Sequence, residues 1–282
     1  MTFSPPHYRI HISMHTENTE AAQPLIQIER EDEIALVKLN RASKRNAIND
    51  ALLAELDAAF SHGLDGARAV ILHGEGEHFC AGLDLFELLS KRSPDVMVGM
   101  RRSRQWHRTF DLIQYGELPV ISVLKGGVIG GGFELAAATH VRVAERSAFF
   151  QLPEGQRGIF LGGGGSVRIP RLIGASRVIE MMLTGNVLDV DTAHRIGLAH
   201  HVTDDGAGLA KARELAGAIV RNAPATNYAI INGIGRISEM PLGEGLFAET
   251  MVTAMTRSAN TDAAKRISEF FDGRRQASAT AD

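Results

Sequence analysis

Two glutamates, Glu134 and Glu154, stand in apolar stretches of sequence where a carboxylate would be withdrawn from water. Glu134 follows three glycines and a phenylalanine, and Glu154 follows the segment FFQLP at 149–153. Burial raises a carboxylate pKa toward values that serve proton transfer near neutral pH. Either glutamate alone is better explained by a helix N-terminus or a turn, so the hypothesis of an acid/base pair depends on finding both.

Glycine-rich backbone accompanies these carboxylates. The segment GGGFEL at 130–135 leads from a predicted buried strand into a helix, so its N–H groups and the positive end of the helix dipole face one point. An oxyanion, such as the enolate of a thioester, would be stabilised there, and losing one donor typically costs about 3–4 kcal/mol. The segment FCAGLD at 79–84 is the candidate for a second donor, although alone it is better explained as an ordinary turn.

Strands and helices that alternate along the chain must position these groups. Apolar patterning predicts strands at 34–39, 69–72 and 120–124, and helices that start after Asn49 or cover 96–113 and 133–139. This order predicts an α/β fold. After about residue 204 the strand signals stop, and helices are predicted at 209–221, 226–237, 244–257 and 262–274.

Composition narrows the class of protein. The 282 residues, 44% of them hydrophobic, predict a globular core, and a formal net charge of −3 provides no global attraction for nucleic acid or an anionic membrane. One cysteine, Cys80, excludes an intramolecular disulfide and fits the cytoplasm. No apolar run approaches the roughly 20 residues that a membrane span requires. Residues 1–24 are interpreted as a flexible extension.

Five ordered motifs between about residues 34 and 274 resemble the crotonase family, also called the enoyl-CoA hydratase/isomerase family. They are the pairs NR at 40–41 and NA at 46–47, FCAGLD at 79–84, GGGFEL at 130–135, PE at 153–154 with Gly158, and LTG at 183–185 with GL at 197–198. Two positions depart from the usual pattern. Leu161 replaces a frequent proline, and Phe86 replaces a frequent lysine, which leaves the acyl pocket and the CoA contacts open.

The resemblance implies roles for individual residues. Ala81 and Gly131 look like the two oxyanion-hole donors, Glu134 and Glu154 look like the carboxylate pair of the hydratases, and Gly162 matches a glycine beside the catalytic water. The implied substrate-binding residues also include the adenine loop and the turn that follows Cys80; they are Lys44, Arg45, Ala47, Ala81, Gly82, Leu83 and Asp84.

The resemblance also implies an architecture and partners. A spiral of strand-strand-helix turns at 25–204 would be followed by a helical oligomerisation subdomain at 205–282, in a homotrimer or a dimer of trimers. The substrate would be an acyl-CoA thioester, so coenzyme A arrives as part of the substrate. No metal or separate cofactor is implied, and neither nucleic acid nor membrane is an expected partner.

Three functions remain open from the sequence. Hydration of a 2-enoyl-CoA uses both glutamates, double-bond isomerisation needs only one, and a non-catalytic scaffold for CoA esters or RNA needs neither. The two glutamates and the oxyanion glycine favour an enzyme, with hydration first.

Other signals in the chain are more ordinary. The arginines between 101 and 108, with Lys91 and Arg92 before them, form a basic patch that could meet CoA phosphates or RNA, although a solvated helix face is the better interpretation. Cys80 is interpreted as a small buried residue. Trp106, Phe110, Met97 and Met100 have helical spacing, which fits core packing or the acyl pocket equally well.

Overall fold

Nine strands form two sheets in the part of the chain that this computed structural model describes, which is residues 23–62, 64–258 and 263–279. The strands are β1 Ile26–Glu31, β2 Ile34–Leu39, β3 Ala69–Gly74, β4 Val120–Leu124, β5 Gly127–Ile129, β6 Val141–Glu145, β7 Phe149–Gln151, β8 Val187–Asp189 and β9 His201–Thr203. The larger sheet has the order β1-β2-β3-β4-β6-β9, and the smaller has the order β5-β7-β8.

Helices connect and cover these strands over the same ranges. They are α1 Asp50–His62, α2 Leu85–Ser90, α3 Val96–Gln114, α4 Gly131–Ala137, α5 Gly165–Ile173, α6 Ala175–Thr184, α7 Val190–Arg195, α8 Gly208–Val220, α9 Pro224–Ile237, α10 Leu242–Arg257 and α11 Ala263–Ala279. Two short 3₁₀ helices cover Ala42–Lys44 and Gly155–Arg157.

The larger sheet is parallel apart from its first pair, because only β1 and β2 run antiparallel. Every residue of β4 is buried, as is nearly all of β3. Strands that are covered on both faces read as continuous apolar runs, which is why the sequence revealed these two so clearly.

Short stretches of a second layer follow the parallel strands of the larger sheet. β5 follows β4 and β7 follows β6, while single bridges join Ile48 to Leu83 and Cys80 to Val128. A helix then closes each turn, as α4 does after β5. The chain therefore winds as strand-strand-helix turns, and the predicted fold class is confirmed.

The core lies on both faces of the larger sheet. One apolar cluster fills the space between this sheet, the second layer and the helices, and it includes Leu72, Phe110 and Phe133. A smaller cluster joins Ile71 and other residues on the opposite face to Ala212 and Ala216 of α8. Helix α8 therefore packs on the core sheet, while the expected division at 204 between core and oligomerisation subdomain stays a prediction. Residues 1–22 of the expected N-terminal extension lie outside the described residues.

Several predicted elements agree closely with the structure. Strands β2 and β4 have the predicted bounds, and Asn49 caps α1 by accepting the Leu52 N–H at 2.9 Å. Helix α4 starts at Gly131, two residues before the predicted start, so two glycines lie inside its first turn.

Asn46 anchors the loop that precedes α1. Its side chain is fully buried, accepts the Arg41 N–H at 2.9 Å, and donates to the carbonyls of Glu75 and His78. Its φ of +55° is a left-handed conformation that asparagine tolerates better than most residues. The loop is thereby fixed to the chain that follows β3.

We expect Asn46→Ala to lower the free energy of unfolding by at least about 2 kcal/mol, because it leaves buried partners without hydrogen bonds. Asn46→Gly serves as the matched variant, since glycine adopts a positive φ without strain but also loses the hydrogen bonds. Denaturant unfolding measures both. Full stability of the glycine variant would show that these hydrogen bonds do not hold the loop.

Candidate active site

One cavity of about 250 Å³ brings together residues from four separate segments of the chain. Both predicted glutamates line it, as do Gly131 and Gly162. Ala81 and Leu83 reach it from the turn after β3. The turns of the spiral thus place the chemistry-bearing segments side by side.

Glu134 lies in α4 and is 3% exposed. Its Oε1 accepts two backbone hydrogen bonds, from Gly163 N–H at 2.9 Å and Gly165 N–H at 2.8 Å. Burial raises the pKa of Glu134, whereas these N–H groups and the Arg168 guanidinium oppose that rise. The surroundings therefore hold the carboxylate in one orientation and favour its ionised form more than burial alone would.

The glycines around Glu134 are required by space. A Cβ on Gly165 would lie 2.5 Å from Glu134 Cγ, and one on Gly163 would lie 3.1 Å from Glu134 Oε2. Gly164 adopts a φ of +93°, which side chains rarely allow. The glycines at 163–165 therefore let backbone, and not side chain, wrap the carboxylate.

Glu154 faces the same cavity and is 5% exposed. Its Oε2 is buried and has no hydrogen-bond partner among the residues that the structure describes. Burial and the negative charge of Glu134 raise the pKa of Glu154 to about 7. Glu154 is thus suited to hold a proton near neutral pH, and its environment differs from that of Glu134.

The backbone N–H groups of Leu83 and Gly131 lie close together beside these carboxylates. A Cβ built on Gly131 would lie 3.3 Å from Leu83 N, and one on Gly82 would lie 2.9 Å from Gly131 N. Within the described ranges, neither Leu83 N–H nor Gly131 N–H donates to a protein acceptor. These N–H groups can therefore donate to one ligand oxygen.

Ala81 does not supply the predicted donor. Its N–H donates to the Arg45 carbonyl at 2.9 Å, so the loop before α1 already uses it. The expected role of Ala81 is corrected, and Leu83, two residues later in the same turn, offers the free N–H. Gly82 adopts a φ of +85°, and a Cβ there would lie 2.5 Å from the Ile129 carbonyl oxygen. Gly82 thus permits close backbone approach.

Asp84 was expected among the substrate-binding residues, but protein partners engage its carboxylate. It caps α2 by accepting the N–H groups of Phe86 and Glu87, and it pairs with Arg41 Nη1 at 2.7 Å. Arg41 Nη1 also donates to the Ala47 carbonyl at 2.9 Å. This contact between Arg41 and Asp84 holds the two segments together, so Asp84 positions the donor turn and does not face the cavity.

The predicted adenine loop lies directly against the donor turn, because Ile48 N–H donates to the Gly82 carbonyl at 2.7 Å. Lys44 and Arg45 are exposed, and neither forms an ion pair with a described residue. Lys44, Arg45 and Ala47 lie outside the cavity lining. The two cations remain available to an anionic ligand at its edge.

Apolar side chains form most of the cavity wall. Trp106 contacts Phe110 edge to face, with ring centroids 5.5 Å apart, and both are buried. Met97 and Met100 of the same stripe are exposed. The stripe therefore divides among the cavity, which Trp106 lines, the core, which holds Phe110, and the surface. Other apolar residues that line the cavity are Leu85, Leu88, Ile159 and Phe160.

Two arginines also line the cavity: Arg102, which was expected on a solvated helix face, and Arg157, which was not predicted. Arg102 pairs with Asp50 at 2.9 Å and Glu87 at 3.1 Å. Arg157 belongs to the 3₁₀ helix that follows Glu154. Helical spacing on α3 alone cannot single out Arg102 from the neighbouring arginines, while the three-residue separation from Glu154 was the available signal for Arg157.

Cys80 is buried, and its Sγ donates to the Asn46 carbonyl at 3.0 Å. Burial raises the pKa of the Cys80 thiol to about 12, so the thiolate required of a nucleophile is disfavoured.

The described residues contain no group of three potential metal ligands. They also include no helix with the length and apolarity needed to traverse a bilayer.

Comparisons with known proteins identify the family of the chain. The enoyl-CoA hydratase/isomerase family profile matches residues 29–277. An enoyl-CoA hydratase of Mycobacterium tuberculosis, EchA19, is 31% identical, with 83% of this chain and 89% of that protein covered. The short-chain-enoyl-CoA hydratase of Clostridium acetobutylicum is 34% identical, with coverage of 70% and 76%.

A solved structure is also similar. A Rhodopseudomonas palustris protein named as an enoyl-CoA hydratase superposes with a TM-score of 0.85 at 44% identity, and the match covers 90% of this chain and 98% of that one. The chain belongs to the enoyl-CoA hydratase/isomerase family.

We expect Glu154→Gln to change how stability depends on pH. Glu154 has a raised folded-state pKa, so its contribution is complete below the unfolded value near 4.5 and is lost as pH rises through about 7. The free energy of unfolding of Glu154→Gln, relative to the unsubstituted protein, should therefore increase between pH 5 and pH 8, by at most about 3 kcal/mol. Urea unfolding at both pH values measures the difference, with exposed Glu117→Gln as the control. An equal difference at the two pH values would contradict a raised pKa.

Proposed function

We propose that this protein is an enoyl-CoA hydratase, which adds water across the double bond of a 2-enoyl-CoA thioester. The observation that carries the proposal is one cavity that holds two unlike carboxylates beside a pair of free N–H groups. Such pairs, with environments that separate their protonation behaviour, are typical of general acid/base catalysis.

The N–H groups of Leu83 and Gly131 would bind the thioester oxygen. Addition of water at the β-carbon moves negative charge onto that oxygen, so donors aimed at it stabilise the enolate more than the substrate. Most buried backbone N–H groups in a folded protein donate within secondary structure. Two neighbouring N–H groups with no acceptor among the described residues therefore favour an oxyanion site.

Each glutamate would transfer one proton. Ionised Glu134 takes a proton from water as the water oxygen bonds to the β-carbon, and protonated Glu154 gives its proton to the α-carbon. The product has gained one water, and proton exchange with solvent returns both carboxyl groups to their starting states. Gly162, which also lines the cavity, is the expected neighbour of that water.

Isomerisation is the alternative reaction in the same family. It moves a proton between carbons with no water added, so one carboxylate suffices. Turnover of a 2-enoyl-CoA in ¹⁸O-labelled water separates the two reactions, because only hydration places the label in the product. A non-catalytic scaffold for CoA esters or RNA would give neither product.

The proposal includes partners. Substrate coenzyme A would lie along Lys44, Arg45 and Ala47, with no separate cofactor or metal.

Large apolar side chains on α9–α11 are exposed in the single chain, which supports a homotrimer or a dimer of trimers. They include Ile234, Leu242, Leu246, Phe247, Met251, Met255, Phe270 and Phe271. The single cysteine supports a reducing compartment, and we place the enzyme in the cytoplasm.

Neutralising the adenine loop should weaken CoA binding. We expect the double variant Lys44→Gln, Arg45→Gln to raise the Kd for CoA roughly tenfold or more, because hydrogen bonds to charged groups contribute about 1.5–3 kcal/mol. Binding of 3′-dephospho-CoA should fall less if the loop meets the 3′-phosphate. Calorimetry measures both ligands, and Lys211→Gln on α8 is the control. Unchanged CoA affinity in the double variant would refute this location.

Removing either carboxylate should remove hydration. We expect Glu134→Gln and Glu154→Gln each to lower turnover of a short or medium 2-enoyl-CoA by at least about 100-fold, with substrate affinity within several-fold, because glutamine keeps the shape but exchanges no proton. Steady-state rates and Kd values provide the test. Loss at one position only would favour isomerisation, and full activity at both would refute the site.

A further inference from the structure

Arg168 of α5 lies behind the glycine run that wraps Glu134. Its side chain is 9% exposed, and every part of its guanidinium has a protein partner. Nη1 donates to the Gly163 carbonyl at 3.0 Å, Nε to Gln114 Oε1 at 2.5 Å, and Nη2 to Asp111 Oδ1 at 2.5 Å. Each of its three nitrogens thus donates one hydrogen bond to the protein, which offsets part of the cost of burying this cation.

Gly163 connects this guanidinium to the reacting carboxylate. Its carbonyl accepts from Arg168, and its N–H donates to Glu134 Oε1 at 2.9 Å. The backbone of Gly164, at a φ of +93°, packs directly against the guanidinium. Displacement of Arg168 would therefore release the segment that orients Glu134.

The charges around Glu134 come from three directions. Glu154 faces it across the cavity, and Arg168 lies behind it on α5. From α3, Asp111 and Tyr115 act on Arg168, and His107 packs near Gly164. Arg168 is the cation that opposes the rise of the Glu134 pKa, whereas Asp111 is 55% exposed and lies beyond the guanidinium.

We propose that Arg168 is a positioning residue for the reaction, which orients the Glu134 carboxylate through Gly163 and keeps a positive charge behind it. This inference rests on the proposed hydratase function. The plain structural alternative is that Arg168 only fastens α5 to α3 through Asp111 and Gln114. The two accounts differ in what they predict for Glu134 itself.

The test compares Arg168→Gln, Arg168→Lys and Asp111→Asn. Glutamine removes both the fork and the charge, and lysine keeps the charge. Asp111→Asn removes the ion pair with α3, while Arg168 keeps its hydrogen bonds to Gln114 and Gly163. The direct readout is the titration of the Glu134 carboxyl group by ¹³C NMR with labelled glutamate, which needs no turnover. The second readout is kcat and KM for a 2-enoyl-CoA across pH.

We expect Arg168→Gln to move the Glu134 titration toward higher pH, because it removes both a positive charge that lowers the Glu134 pKa and the support for the Gly163 backbone, whose N–H also lowers it. Its kcat should fall roughly 10- to 100-fold with KM within several-fold, since small displacement of a catalytic group is that costly. Arg168→Lys should keep the titration near its original pH with an intermediate kcat. Asp111→Asn should not raise the titration.

Equal effects of Arg168→Gln and Asp111→Asn on stability, with an unmoved Glu134 titration, would overturn the inference. Should Arg168→Gln not fold, Arg168→Lys decides, because a kcat equal to that of the unsubstituted enzyme would show that the guanidinium fork does not position Glu134. Failure of the unsubstituted protein to hydrate any 2-enoyl-CoA would instead refute the proposed function, and the NMR titration would still judge the contact between Arg168 and Glu134.

Discussion

The buried carboxylate of Glu134, held by the N–H groups of Gly163 and Gly165, is the interaction on which the rest of the site depends. An ionised group in a nearly dry interior is costly unless hydrogen bonds replace its water. Only bare backbone can approach closely enough to provide them, which explains the glycines at 163–165. The same contact joins α4 to the start of α5, so one interaction both joins these two helices and holds the carboxylate that we propose as the proton acceptor.

The spiral supplies the second requirement, which is a pair of free N–H groups at one point. The turn after β3 and the start of α4 lie on neighbouring turns, joined by the bridge between Cys80 and Val128. Each contributes one N–H, from Leu83 and Gly131. The loop at 41–47, fastened by Asn46 and by the pair of Arg41 and Asp84, takes the adjacent N–H of Ala81 out of use. The Ala81 N–H is therefore used within the protein, whereas the Leu83 and Gly131 N–H groups are left for a ligand among the described residues.

Much of this arrangement could be predicted from the sequence. Apolar patterning located β2, β3, β4 and the long helices, and the motifs led to Glu134, Glu154, Gly131 and Gly162. The three-residue strands β5, β7 and β8 are too short to leave a readable period. The identity of the free N–H in the donor turn could not be derived either, because the partner of Ala81 comes from a loop 36 positions earlier in the chain.

The contacts of Arg168 could not be predicted from the sequence either. Nothing local distinguishes it from other helical arginines, since its partners Asp111, Gln114 and Gly163 come from α3 and from the glycine run. A motif names residue types at fixed spacing, whereas the protonation of Glu134 and Glu154 depends on burial and on charges that only the folded chain brings near. That is why the pair was predictable as residues, while their unequal environments were not.

The central claim is that this site forms an enolate at a thioester, and exchange of the α-hydrogens of a saturated acyl-CoA in ²H₂O tests it most directly. The reaction needs only the N–H pair and a carboxylate base, so it does not depend on the fit of any particular enoyl chain. Proton NMR of the thioester should show enzyme-dependent exchange of one of the two α-hydrogens, and this exchange should disappear in Glu154→Gln. Exchange no faster than in buffer, or equal exchange of both α-hydrogens, would contradict the account.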